Sequence, residues 1–184
     1  MQRGKLIVFE GISGTGKETQ AKLLKEYLVQ KHIKTHIVFH PSTEIKPILR
    51  AQKTVNDQIK VLAADRGSKV REVIRPAIRK GEWVISLRNY VSAYVYQGNG
   101  TVVKKVDMNP DYLFYFDITP MAAMERILSR GEQLGKYETL KLLKTKRRKY
   151  KRVLKTIPHY EVDASQTIMQ IHKEIRKYLS ATLK

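Results

Sequence analysis

The chain has 184 residues, 36 basic and 17 acidic, for a formal net charge of +19, and no cysteine. That length suffices for one well-buried core, and the missing cysteines exclude a disulfide framework or a thiolate metal site. No apolar run is long enough to span a bilayer, and the first apolar strand begins almost at once, leaving no room for a signal peptide, so a cytoplasmic protein is expected.

Leu6 to Phe9 form an unbroken apolar run, as in a strand buried on both faces of a parallel sheet. Residues 11 to 18 then read Gly-Ile-Ser-Gly-Thr-Gly-Lys-Glu. The pattern Gly-x-x-x-x-Gly-Lys-[Ser/Thr] curls backbone N–H groups around phosphates, with the lysine adding charge and the hydroxyl taking Mg²⁺. Gly11, Gly16 and Lys17 fit, but Glu18 stands where the hydroxyl belongs. A helical pattern follows to Lys31, with Ala21, Leu24 and Leu28 on one side. Strand, loop and helix in that order aim a helix N-terminus at the bound anion.

Strand and helix alternate thereafter. A second strand covers Thr35 to Phe39 and stops before Pro41, and a helical pattern runs from about Asn56 to Arg79, interrupted or restarted by Pro76. Gly81 ends it, and Trp83 to Leu87 reads as a third buried strand. Residues 90–97 suit a helix, Gly98-Asn99-Gly100 a loop, Tyr112 to Asp117 a fourth strand and Pro120 to Ser129 a further helix. A polar stretch precedes the basic segment Lys141 to Lys155, whose leucines Leu140, Leu143 and Leu154 make it an amphipathic helix. Its charge reads first as a solvated face and only second as a nucleic-acid surface, because no nucleic-acid-binding module accompanies it. His159 to Val162 is the last strand, and Ser165 or Asp163 is positioned to cap the final helix. The alternation predicts one α/β domain, a parallel five-stranded sheet with helices on both faces and ligands at the strand C-terminal ends.

The segments FEGISGTGKETQ, LAADRGSKVREVIRPAIRKGEWVIS, PDYLFYFDITPMAAMERI and VDASQTIMQIHKEI occur in the order and approximate spacing of the thymidylate kinase family, which the chain resembles over nearly its whole length. The resemblance implies a P-loop nucleoside monophosphate kinase fold with a short lid at about residues 130–138. It also implies transfer of the ATP γ-phosphate to dTMP with Mg²⁺, and a homodimer. It carries over residue by residue. Gly11, Ile12, Ser13, Gly14, Thr15, Gly16, Lys17, Glu18 and Thr19 match the loop that holds the ATP phosphates. Arg130 matches a lid cation, and Lys136 falls where many relatives place a second lid arginine, keeping the charge without the planar fork. Lys17, Arg88, Arg130 and Lys136 are thereby the expected catalytic cations. On the acceptor side Arg66 matches the residue that hydrogen-bonds the base and Arg88 the one that holds the acceptor phosphate. Pro41, Leu62, Ser92, Tyr96 and Gln97 fall on the acceptor pocket.

The departures concern the metal and the acceptor. Relatives usually have Asp-Arg-Tyr after the third strand; this chain has Leu87-Arg88-Asn89. Ser13 replaces a residue that is often acidic, Phe39-His40-Pro41 replaces Arg-Glu-Pro, and Leu62 replaces a phenylalanine that stacks on the base. Glu18 and Leu87 suggest a Mg²⁺-directed carboxylate moved from strand to loop, the alternative being a solvated Glu18 that suits a helix first turn. Three functions follow: a thymidylate kinase with a rearranged metal shell, a kinase for another nucleoside monophosphate, or a catalytically weak nucleotide-binding homologue with a basic nucleic-acid-contacting surface.

Overall fold

The computed structural model describes residues 3–129, 131 and 138–183. Five strands, β1 (Leu6–Glu10), β2 (Thr35–Phe39), β3 (Trp83–Leu87), β4 (Tyr112–Asp117) and β5 (Tyr160–Asp163), form one parallel sheet in the order β2-β3-β1-β4-β5. Every residue of β1 and β3 is buried, the reason their sequences are continuous rather than alternating apolar runs. The register sets Phe9 opposite Leu87 and Glu10 opposite Tyr115, so the loop after β1 emerges between the ends of β3 and β4. There the strand order reverses, which opens a crevice at the C-terminal edge of such a sheet.

The helices are α1 (Lys17–Gln30), α2 (Lys46–Ala51), α3 (Val55–Lys69), α4 (Arg75–Arg79), α5 (Tyr90–Tyr96), α6 (Thr101–Val106), α7 (Pro120–Leu128), α8 (Leu140–Leu154) and α9 (Ile168–Leu179). A π-turn at Val70–Ile74 joins α3 to α4, so the segment continues through Pro76 instead of breaking. Proline offers no N–H and crowds the carbonyl four residues back; the wider turn gives that carbonyl room. Two six-residue helices, α2 and α6, were not visible in the sequence pattern, being too short to show an amphipathic period. Of α6, Val103 is buried while Val102 and Val106 are exposed.

The cap of α9 is a correction to the sequence reading. Thr167 caps it in a reciprocal box with Gln170, the Gln170 N–H donating to Thr167 Oγ1 at 3.3 Å and the Thr167 N–H to Gln170 Oε1 at 3.0 Å. Asp163 and Ser165 instead close a turn before it, the Ser165 N–H and hydroxyl both donating to Asp163 Oδ1 at 2.9 and 2.6 Å. Each of these residues could cap by type, and Asp163 too has a Gln three positions on; it is the reciprocal bonding between Thr167 and Gln170 that sets the start. The basic helix α8 is amphipathic as read, with Leu143, Tyr150 and Leu154 inward. No helix among the described residues is long and apolar enough to cross a membrane.

Candidate active site

The loop between β1 and α1 is shaped by glycines at positive φ. Gly14 has φ 82° and Gly16 φ 81°, and a Cβ on Gly14 would stand 2.4 Å from the Ala123 carbonyl oxygen of α7. Only glycine satisfies both that backbone and that contact. Lys17 is buried in the loop it follows, its Nζ donating to the Ile12 carbonyl at 2.6 Å and to Thr15 Oγ1 at 2.7 Å. Thr15 Oγ1 in turn donates to the same carbonyl at 3.1 Å. Among the described residues no side chain caps the first turn of α1, so its N–H groups and the lysine charge face the loop as an anion site. Ser13 and Gly16 are half-buried, and Glu18 and Thr19 are exposed.

Arg88 and Arg66, the arginines expected on the acceptor side, are attached to this loop through the sheet. The Arg88 N–H donates to the Phe9 carbonyl at 2.9 Å, which fixes the end of β3 beside the start of the loop. Arg88 adopts φ 74°, a left-handed turn that swings its guanidinium to within 4.7 Å of the Tyr96 ring centre. Burial alone would lower the pKa of that guanidinium, but Tyr96, Tyr150 and Glu10 around it raise it overall, so the group stays cationic.

Arg66 lies on α3, where spacing alone is compatible with a surface charge; the fold instead buries it completely. Its Nε donates to Asp107 Oδ1 at 2.8 Å and its Nη1 to Ser86 Oγ at 2.8 Å, while Ser86 Oγ donates to the Arg88 carbonyl at 2.7 Å. Arg66 and Arg88 are therefore built on one continuous network. Nη2 of Arg66 is buried without a partner among the described residues, a donor ready for a ligand acceptor group. Next to it, Asp65 accepts from the Ser42 hydroxyl, from the Ser42 N–H at 3.2 Å and bonds His40 Nδ1 at 3.0 Å. Burial pushes the Asp65 carboxyl up, but His40 and Ser42 together hold it below the usual carboxylate range. This ties the His40-Pro41 segment after β2 to α3, with Pro41 half-buried at the surface and Leu62 buried in the core.

Beneath Arg88 lies a carboxylate that the sequence reading passed over. Glu10, at the end of β1, is 0% exposed. One of its oxygens accepts from the N–H groups of Asn89 at 2.8 Å and Ser92 at 3.2 Å, the other from the Ser92 hydroxyl at 2.7 Å and the Tyr150 hydroxyl at 2.8 Å. The signal was present: a charged residue ending a strand buried on both faces needs partners. Ser92 is thus committed to the framework around Glu10, whereas Tyr96 and Gln97 are half-buried at the end of α5. Arg130 and Lys136, with most of the lid at about 130–138, lie outside the described residues.

The expected Mg²⁺ site is thinly furnished with protein oxygens. Among the described residues no three His, Cys, Asp or Glu side chains converge on a metal position, and Leu87 is packed in the sheet. Both Glu10 oxygens are taken by N–H and O–H donors, which leaves the exposed Glu18 as the carboxylate of the phosphate loop. A Mg²⁺ ion that keeps several waters and takes its other ligands from phosphates is compatible with one such carboxylate.

Known proteins resemble this chain over most of its length. The family model described as Thymidylate kinase matches residues 9–175. A thymidylate kinase of Thermoanaerobacter sp. (strain X514) is 33% identical, covering 96% of this chain and 100% of the relative. That of Ruthia magnifica is 32% identical over 96% and 97%, and that of Buchnera aphidicola subsp. Baizongia pistaciae 30% identical over 100% and 98%. The family match over residues 9–175, with relatives that cover the chain almost end to end, places this protein in the thymidylate kinase family.

Proposed function

We propose that this protein transfers the γ-phosphate of ATP to dTMP, giving dTDP and ADP. The observation that carries the reading is the hydrogen bond from the Arg88 N–H to the Phe9 carbonyl, which puts the acceptor cation and the donor-phosphate loop on neighbouring strand ends. Phosphoryl transfer depends chiefly on such positioning and on neutralising charge around the transferred group. Lys17 and the first-turn N–H groups of α1 hold the donor phosphates, and Arg88 holds the acceptor phosphate. Arg66, immobilised by Asp107 and Ser86, presents Nη2 to a base carbonyl; a buried donor of this kind rejects bases that lack the matching acceptor. Leu62, Tyr96, Gln97 and the Pro41 segment complete the acceptor side, and Arg130 and Lys136 are the lid cations of the same reading.

Mg²⁺, when bound with ATP, neutralises the phosphate oxygens, and Glu18 is the residue proposed to hold it through its water shell. A homodimer and a cytoplasmic setting belong to the same reading, supported by family membership. The test is release of ADP from ATP with dTMP, dUMP, dCMP and dGMP offered in turn. Turnover should be highest by kcat/KM with dTMP and fall at least a hundredfold in Arg88→Met; another preferred acceptor, or undiminished turnover in that variant, would overturn the assignment.

A further inference from the structure

Helix α8 carries one lysine that does not face solvent. The remaining lysines and arginines between residues 141 and 155 are exposed or half-buried, but Lys146 is only 6% exposed. Its Nζ lies 3.3 Å from the carbonyl oxygens of both Val95 and Tyr96, at the C-terminal end of α5, and 4.7 Å from the Tyr96 ring centre. The Arg88 guanidinium lies 4.7 Å from that same ring. Two cations therefore converge on one aromatic side chain at the acceptor side of the site.

An ammonium at such depth is costly, and the carbonyls at a helix C-terminus and the ring face offset part of that cost. Burial, Lys149 and Arg88 push Lys146 down to about 8. Arg147 and Lys151 of the same helix pair with Asp117 at the end of β4, and Lys151 also with Glu161 on β5. A dianionic phosphate beside Arg88 would relieve the repulsion between the two cations.

We propose that Lys146 is a positioning residue for the acceptor, a second cation that holds Tyr96 and the end of α5 against Arg88 and tightens the site for the dianionic phosphate of a nucleoside monophosphate. This rests on the reading of Arg88 as the acceptor-phosphate ligand. The ionisable groups gathered at that point are Arg88 after β3, Glu10 on β1, Tyr96 on α5 and Lys149 and Tyr150 on α8.

Calorimetric titration of the wild type and of Lys146→Met with dTMP and, separately, with ATP reads the effect directly. Lys146→Met should weaken dTMP about tenfold and leave ATP within about twofold. Wild-type affinity for dTMP should also fall as the pH rises through 8, with that step absent in the variant. Lys146→Arg separates charge from packing: recovered affinity supports the role, and weak binding in a variant that melts like wild type counts against it. Unchanged dTMP affinity in Lys146→Met, or equal losses for dTMP and ATP, would overturn the inference. If the wild type prefers another monophosphate, it is the dTMP assignment that fails, and the same comparison made with the preferred monophosphate still decides the role of Lys146.

Discussion

Replacing Glu10 tests the framework that joins the end of β1 to α5 and α8. In Glu10→Gln the amide oxygen can keep the N–H groups of Asn89 and Ser92, now 2.8 and 3.2 Å from the carboxylate, while the NH₂ donates to the hydroxyls of Ser92 and Tyr150, which rotate to accept. Geometry survives and charge is lost. Hydrogen bonds to an ionised group contribute about 1.5–3 kcal/mol against about 1 for neutral ones, so weakening this set costs about 2 kcal/mol after the relief of a buried charge. In Glu10→Ala the two hydroxyls, 3.0 Å apart, satisfy each other. The two backbone N–H groups do not, and at about 1–3 kcal/mol each, with about 1 kcal/mol of lost side-chain packing, the change costs about 5 kcal/mol. For a domain of this size the melting point should drop about 4–8 °C in the first variant and about 10–20 °C in the second. Thermal melts and urea titrations followed by circular dichroism measure both. Equal losses in the two variants would refute the reasoning, because then the charge rather than the satisfied N–H groups stabilises this corner; so would a loss below about 1 kcal/mol in Glu10→Ala.

Gly14→Ala and Gly16→Ala separate steric from conformational requirements in the phosphate loop. Both residues sit near φ 80°, but an added Cβ meets the Ala123 carbonyl at 2.4 Å in one case and nothing within 4 Å in the other. Gly16→Ala should cost about 1–2 kcal/mol of stability and Gly14→Ala clearly more, measured by nucleotide-free melts. Acid unfolding should depend on Asp117. Burial raises its carboxyl, but hydrogen bonds from Arg147, Lys151 and Tyr115 lower it overall. A carboxyl depressed in the folded state stabilises above its unfolded value near 3.8 and loses that contribution as the pH falls through the folded value. The stability difference between wild type and Asp117→Asn should therefore be full at pH 6 and shrink below about pH 4, as read by urea titrations at each pH.

What the sequence disclosed was local. The five strands, the phosphate loop and the amphipathic α8 follow from runs and periods that a dozen residues suffice to display. The helices α2 and α6 are too short to show a period, and the start of α9 is ambiguous in the sequence because several residues around 163–167 are good caps. Candidate site residues came from matched motifs, and their partners did not. Asp107 lies 41 residues from the arginine it fixes, and Tyr150 lies 140 residues from Glu10, inside a helix whose basic face drew attention outward. No spacing rule joins positions so far apart; only the strand order that brings β1 between β3 and β4 does so.

The left-handed backbone at Arg88 has a consequence for anyone who tries to improve this protein. An arginine there costs about 1–2 kcal/mol of backbone strain that a glycine would not, yet the same turn carries the guanidinium to the Tyr96 ring, where the proposed reading needs it. A library ranked by melting temperature would thus enrich glycine at position 88 and discard the cation proposed to hold the acceptor phosphate. Selection for heat resistance at this residue needs turnover as a second criterion, since the two properties pull apart there.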